Sequence, residues 1–338
     1  MNPLNQGFPP AAIVLPLLQK AGIQLDNLKI SPLQGGNNRV FLLANEKQKY
    51  VLKHYFASQN ETRTRLNAEF SFIAFAWSNG IRVVPEPYAC DTENLLGLYQ
   101  FIEGGKLDRE ALTGRHISAA MEFISSINSA SIRFSEQALR LPFAAESCLN
   151  LEQHLASVEH RIKKLSCMAI EDEVSAKAGS FFSSILLPEW NRIKEALSGE
   201  QKKNRNIDRG SRIISPSDFG FHNAIIAPDG KVFFIDFEYA GWDGPVKMVC
   251  DFFCQPEIPV PINYMEIFAD KITGFIEPEY DMKQEIEKLM PLYRLKWCCI
   301  MLNPFIQASV KRKAFAFYET DRRELQLEKT VKYAEEHF

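Results

Sequence analysis

Alternation and periodicity divide the chain into a strand-rich first third and a largely helical remainder. ArgValPheLeuLeuAla (39–44) and LysTyrValLeuLysHisTyrPhe (49–56) are β-branched and aromatic runs joined by AsnGluLysGln, a pattern that predicts a hairpin. Leu66, Phe70, Ile73 and Trp77 then recur at helical spacing and define one apolar face. ArgValValProGluProTyr (82–88) reads as an edge segment because of its two prolines. LeuGlyLeuTyrGlnPheIleGluGlyGly (96–105) reads as a further strand ending in a turn. From Asp108 the pattern becomes helical, with segments predicted near 108–135, 149–166 and 172–198.

A second strand-like region interrupts the helices. The apolar run ArgIleIleSer (212–215) enters ProSerAspPheGlyPheHisAsn (216–223). AsnAlaIleIleAla (223–227), a ProAspGly turn (228–230) and LysValPhePheIleAsp (231–236) then form a predicted hairpin that closes on a carboxylate. Helices are expected again near 262–277, 281–303 and 304–336, the last with Pro304 in its first turn. Phe305, Ile306, Phe315 and Phe317 are read as core.

At 338 residues and 46% apolar content the chain can fill two lobes of ordinary size. A net charge of −3 and a pI near 6.1 provide no basic field for nucleic acid or an anionic membrane, so a small polar ligand is the expected partner. The basic run LysLysAsnArgAsn (202–206) reads as a solvated loop. Seven cysteines lack paired CysXXCys spacing, which fits reduced thiols in a cytoplasm. The apolar stretch at 11–18 has no basic residue before it and is interrupted by Pro16, so neither a signal peptide nor a membrane span is expected there.

The candidate chemistry lies in the second strand-like region. Asp218, Asn223 and Asp236 supply a carboxylate that can orient a hydroxyl, an amide oxygen and a second carboxylate, the hard ligands that Mg²⁺ accepts beside phosphates. AspPheGly (218–220) also resembles a metal-binding tripeptide, which would require a base upstream. The only nearby candidate, Asp208, has Ile213 five residues on, so Asp218 keeps the role of base. Upstream, Gly35 and Gly36 in GlnGlyGlyAsnAsn (34–38) allow close backbone approach to a phosphate, although alone they would read as a turn. Lys53 lies within a strand, where alternation leaves open whether it faces solvent or the interior. Glu69 is the acid best placed to reach it; Glu61, at the helix start, already has a role near the positive end of the dipole.

This order of strand, loop, hairpin and ligand resembles the aminoglycoside phosphotransferase and choline kinase family, small-molecule kinases with a protein-kinase-like fold. The resemblance implies an α+β, two-lobed fold. Its N-terminal lobe, 1–101, would hold an antiparallel sheet plus helix; a hinge at 102–107 would lead to a mainly helical lobe, 108–338, with the catalytic hairpin. It implies Asp218 as base, Asn223 and Asp236 on Mg²⁺, and Gly35, Gly36 and Asn37 near the phosphates of ATP or GTP. Lys53 would hold the α- and β-phosphates, braced by Glu69. The backbones of Gln100 and Ile102 would meet adenine with Tyr99 behind it, and Asp251 would brace the catalytic loop by accepting backbone hydrogen bonds.

The implied reaction moves a γ-phosphate to a hydroxyl of an amino alcohol, sugar or aminoglycoside-like molecule. One departure is Pro216, where the family usually has His; Ser215 or Ser217 is then expected to supply a substitute hydrogen bond, and His222 is read as structural or as a support behind the site residues. Pro216 also supports an alternative, a kinase-like protein that binds nucleotide or a partner without turnover. A protein kinase is disfavoured by the short glycine loop and the lack of HisArgAsp. Glu238 and Asp243 are acids near the site that either attract a cationic acceptor or serve the metal and the loops, as acids in this region commonly do.

Overall fold

A computed structural model describes residues 7–23, 28–33, 35–57, 64–199, 206–276, 280–306 and 322–338. The predicted hairpin is present as β2 (Arg39–Ala44) and β3 (Lys49–His54), preceded by β1 (Lys29–Leu33) and followed by β4 (Pro87–Asp91) and β5 (Leu96–Gln100). They form one antiparallel sheet in the order β1-β2-β3-β5-β4. The chain pattern gave no sign of β1. It contains Pro32 and is largely exposed at the sheet edge, where a missing ladder donor is tolerated.

The two faces of this sheet do different things. Phe41, Leu43, Leu52 and Leu98 pack under α1 (Ala11–Lys20), whose Val14, Leu17 and Leu18 complete a small core. Lys53 and Tyr99 alternate with those residues and face α2 (Arg65–Ser78), reaching Glu69 and Phe70 respectively. Leu66 and Ile73 of the predicted stripe are buried, and Phe70 and Trp77 pack against the main core. Gln34 and Glu61 lie outside the described residues.

The next section contains a 3₁₀ turn (Arg109–Ala111), α3 (Gly114–Ile127), α4 (Ala130–Arg133), α5 (Glu136–Leu139) and α6 (Leu151–Ser166). The single helix expected over 108–135 is therefore broken at Asn128. That side chain is fully buried and turned across the core: Nδ2 donates to the carbonyls of Ile124 (3.0 Å) and Ile214 (2.9 Å), and Oδ1 accepts the Ile214 amide at 2.8 Å. Beyond it, α7 (Glu173–Phe181) passes through a π turn (Phe182–Leu186) into α8 (Leu187–Leu197). Pro188 lacks the amide that a regular ladder needs at this junction.

Short strands β6 (Ile213–Ser215) and β9 (Gly241–Asp243) pair, and β7 (Ala224–Ile226) and β8 (Val232–Phe234) form the expected hairpin. α9 (Pro245–Cys254) was not expected: all ten of its residues are buried, and its two charged positions, Lys247 and Asp251, lie one turn apart in a run that otherwise reads as apolar core. α10 (Met265–Thr273), α11 (Met282–Met301), a 3₁₀ turn (Asn303–Phe305) and a final helix (Arg323–His337) follow. Pro304 thus sits in the 3₁₀ turn. Phe305 and Ile306 join the core; Phe315, Phe317 and most of the basic run lie outside the described residues. No helix among the described residues is long and apolar enough to cross a membrane.

Two contacts fix the hairpin against its surroundings. The Gly105 amide donates to Ile226 O (3.1 Å) and Ile226 returns the bond (2.8 Å), docking the turn after β5 on β7. Gly104, at φ +147°, leaves no room for a side chain: a Cβ would sit 2.2 Å from the Ile226 carbonyl. Aromatic stacking does the rest. Phe237 stacks on Phe72 of α2 (4.7 Å), Phe234 on Phe123 of α3 (5.0 Å), and Phe219 on Phe252 of α9 (5.1 Å), which stacks in turn on Phe268 (4.8 Å).

Asn128 joins α3 to β6, the strand that delivers the loop at 216–223. Asn128→Ala should cost about 1–3 kcal/mol for each group of Ile214 left buried and unpaired. The midpoint of urea unfolding measures this, and an unchanged midpoint would mean the backbone of β6 finds other partners.

Candidate active site

The β7–β8 hairpin brings two of the predicted residues together at its open end. Ala224 lies opposite Phe234, so Asn223 and Asp236 flank the last rung, and the Ile235 amide donates to Asn223 O at 2.9 Å. Asp236 occupies a left-handed conformation at φ +67°, unusual for a residue with a Cβ. Its side chain remains about a third exposed.

Asp218 sits in the loop between β6 and β7. Its amide donates to Pro216 O (3.1 Å), and its carboxylate is held on both sides, by His222 Nε2 at 3.2 Å and Asn223 Nδ2 at 3.3 Å. Asn223 Nδ2 also donates to the Asp218 carbonyl at 3.0 Å. With its nitrogen used this way, the Asn223 amide oxygen makes no hydrogen bond with the described residues. Asp236 likewise engages only Oδ1. The hairpin thus presents one amide oxygen and one carboxylate oxygen, a donor set that suits a hard divalent cation.

Lys53 is buried beneath the sheet. Nζ donates to both oxygens of Glu69 (2.9 and 2.8 Å) and to Asp236 Oδ1 (2.8 Å), so it links α2 to the hairpin. Tyr55 donates to Glu69 Oε2 at 2.7 Å and shares a 2.9 Å hydroxyl contact with Tyr99. Burial opposes the charge on Lys53, but Asp236, Glu69 and Glu238 outweigh it and hold the ammonium well above its ordinary value. Burial dominates at Glu69 and raises its carboxyl from 4.5 to about 6 despite Lys53. At Asp218 the order reverses: burial is outweighed by His222, Asn223 and Lys296, so the carboxyl is held below its usual range. His222 is raised, since Asp218, Glu257 and Asp236 together overcome its burial.

The glycine turn faces the hairpin. A Cβ on Gly35 would fall 2.2 Å from Asn38 O, so the tight turn itself demands glycine there, whereas Gly36 has open space around it. Asn37 and Asn38 both donate to Glu238, at 3.1 and 2.7 Å, and Arg65 of α2 reaches the same carboxylate at 3.2 Å. At the end of β5 the Gln100 amide is engaged by Glu86 O (2.9 Å), while just past it the amide and carbonyl of Ile102 make no hydrogen bond with the described residues. Tyr99 is buried behind them.

Several expectations need correction. Asp251 does not accept backbone hydrogen bonds from the catalytic loop. It lies on α9 and takes Lys296 (2.8 and 2.9 Å) and Trp297 (3.1 Å). Glu238 and Asp243 are fully buried and internally paired, Glu238 as described and Asp243 with Lys247 and two backbone amides, so neither faces an acceptor. His222 touches Asp218, which agrees with its reading as a support behind the site residues. Both serines act beside Pro216: Ser215 Oγ accepts the Ser217 amide at 3.0 Å, and Ser217 Oγ accepts from Lys247 at 3.0 Å. Sequence reasoning missed Lys247, Arg65 and Asn38. The i, i+4 spacing of Asp243, Lys247 and Asp251 in an otherwise apolar run was the available signal for the first.

An antiparallel sheet with a buried Lys–Glu pair, joined to a helical part in which a loop carboxylate meets the Asn223/Asp236 end of a hairpin, is a protein-kinase-like fold. Residues 29–252 match the sequence model of the phosphotransferase enzyme family, and the chain belongs to that family. No curated protein is significantly similar in sequence. Among solved structures, a spectinomycin phosphotransferase in complex with ADP and spectinomycin is similar at 14% identity, with a TM-score of 0.60 over 95% of this chain and 97% of its own. A choline kinase from Cryptosporidium parvum Iowa II is similar at 14% identity and TM-score 0.57, covering 97% of this chain and 96% of its own. An amicoumacin kinase in complex with AMP-PNP and Ca²⁺ is similar at 15% identity and TM-score 0.55, covering 99% and 96%.

The raised carboxyl of Glu69 has a sign that can be tested. A carboxylate whose folded value lies above its unfolded one contributes stability below the unfolded value and loses it as pH rises through the folded value. The stability of wild type relative to Glu69→Gln should therefore fall by on the order of 2 kcal/mol between about pH 4 and 7. Urea unfolding of both proteins across that range measures the difference; a flat difference would mean that Lys53 fully compensates the burial.

Proposed function

We propose that the protein transfers the γ-phosphate of ATP or GTP to a hydroxyl of a small molecule such as an amino alcohol, sugar or aminoglycoside-like compound. The observation that carries this reading is the convergence of three groups: Asp218 held by His222 and Asn223, Asp236 beside Asn223 at the hairpin end, and Lys53 bonded to Asp236. Family membership supports the reaction class.

In this reading residues 1–101 form the nucleotide-binding lobe, 102–107 the hinge and 108–338 the catalytic and substrate-binding lobe. Ile102, with Gln100, meets the base, and Gly35, Gly36 and Asn37 approach the phosphates. Lys53, kept in place by Glu69, holds the α- and β-phosphates. Asn223 and Asp236 would hold Mg²⁺, which supplies charge neutralisation on the phosphates when bound. Asp218 accepts a hydrogen bond from the acceptor hydroxyl and aims its oxygen in line with the γ-phosphorus. As the new P–O bond forms and the bond to the β-phosphate oxygen breaks, the hydroxyl proton passes late to Asp218. The nucleoside diphosphate leaves with the negative charge. All seven cysteines are free, which agrees with a cytoplasmic setting where such nucleotides are present.

Calorimetry with ATP and with GTP, with and without Mg²⁺, tests the reading. Binding should require the metal and be lost in Asp236→Ala. Asp218→Asn should keep nucleotide affinity while turnover falls about 10²–10⁴-fold. Absence of binding to either nucleotide at millimolar concentration, or near-normal turnover by Asp236→Ala, would sink it.

A further inference from the structure

Behind the catalytic loop lies a line of buried charge that the proposed chemistry does not use. Asp243, Lys247 and Asp251 are spaced four residues apart, on one face of α9 and its entry. Lys247 is 2% exposed. Its ammonium donates to Asp243 Oδ2 at 2.8 Å and lies 3.7 Å from Asp251 Oδ2. Each acid is anchored elsewhere: Asp243 accepts the amides of Cys148 (3.1 Å) and Gly244 (2.8 Å), and Asp251 accepts Lys296 and Trp297. A lysine already flanked by two carboxylates needs no neutral partner for its charge. Its remaining bond nevertheless goes to a hydroxyl, Ser217 Oγ, at 3.0 Å.

We propose that Lys247 is a positioning residue that fixes Asp218 through Ser217. Ser217 has a left-handed backbone, φ +69°, a conformation that a serine leaves readily unless it is tied. Two ties are present, its amide to Ser215 Oγ and its hydroxyl from Lys247. The next residue is Asp218. Rotation of Ser217 to negative φ would redirect the chain entering Asp218 and draw its carboxylate away from His222 and Asn223. Pro216 on the other side has no amide to contribute. Beside the Phe219–Phe252 stack, which holds the far side of Asp218, the ammonium is therefore the polar long-range tether of this loop, connecting Ser217 to α9 and, through Asp251 and Lys296, to α11. The catalytic consequence rests on the reading of Asp218 given above; the tether itself does not.

Ser217→Gly keeps the positive φ accessible and removes the hydroxyl, and Lys247→Gln removes the ammonium. In the full-length, ligand-free protein, hydrogen exchange of the segment 215–223 should be several-fold faster in Ser217→Gly, with the melting temperature retained. Adding Ser217→Gly to Lys247→Gln should then change exchange no further. Unchanged exchange in Ser217→Gly, or acceleration that persists undiminished in the Lys247→Gln background, overturns the tether. Should Lys247→Gln fail to fold, Ser217→Gly alone decides by the same exchange. With Mg²⁺-ATP and water as acceptor, kcat of Ser217→Gly should fall about 10- to 100-fold while KM for the nucleotide stays constant. A rise in KM with kcat unchanged would refute a role acting through Asp218. If wild type neither binds nor hydrolyses Mg²⁺-ATP, the phosphotransferase reading fails, and the exchange measurement still decides the tether.

Discussion

A carboxylate can be presented to an open cleft at a fixed point only if the residue beside it cannot move. Each of the two cleft acids here is followed by a phenylalanine: Phe219 after Asp218 and Phe237 after Asp236. Both rings are buried and stacked, Phe219 on Phe252 of α9 and Phe237 on Phe72 of α2. Phe123 of α3 lies against Phe219, Phe234 and Phe237, joining the two stacks into one aromatic mass. Aromatic pairs of this kind add about 0.5–1.5 kcal/mol beyond area burial. More important here is direction: α2 carries Glu69, and the ring that anchors Asp236 packs on that same helix.

Charge arrangement follows from this packing. Lys53–Glu69, Arg65–Glu238 and Lys247–Asp243 are each buried pairs that link elements distant in sequence or bind a loop to a helix. Such pairs contribute little net stability compared with well-packed apolar groups, because desolvation offsets attraction, whereas breaking one leaves an uncompensated charge. Their value here lies in register. Glu238 gathers Asn37 and Asn38 from the glycine turn and Arg65 from α2 onto the segment just after Asp236, so three parts of the cleft wall share one carboxylate.

The hairpin and most helices were legible in the sequence because each has a local cause, alternation, a ProAspGly turn or an apolar stripe, whereas alternation left Lys53 open and its pairing with Glu69 followed from the family resemblance. What was hidden depends on burial on every side. α9 is buried on every side, so its one charged stripe, Lys247 and Asp251, went unread in an apolar run, and the role of Asn128 in breaking a helix depends on Ile214, 86 residues away. Asp251 was misassigned for a related reason. The family resemblance put a loop brace at Asp251, but on a helix a change of one turn exchanges it with Lys247, and the loop-facing group is the lysine.

Four acids, Asp218, Asp236, Glu238 and Asp243, lie in the loop, at the hairpin end and just after it, and composition cannot rank them. Burial can. Asp218 and Asp236 keep about a third of their side-chain surface open, while Glu238 and Asp243 are closed off at 1% and 0%. An acid sealed among amides and a cation has spent its lone pairs on structure and has nothing to present to a ligand. The two open acids are also the two followed by stacked phenylalanines, so exposure and rigidity coincide where chemistry needs both. Glu238 and Asp243 therefore offer little attraction to a charged ligand, because a carboxylate already neutralised by Arg65 or Lys247 projects little field beyond its partner.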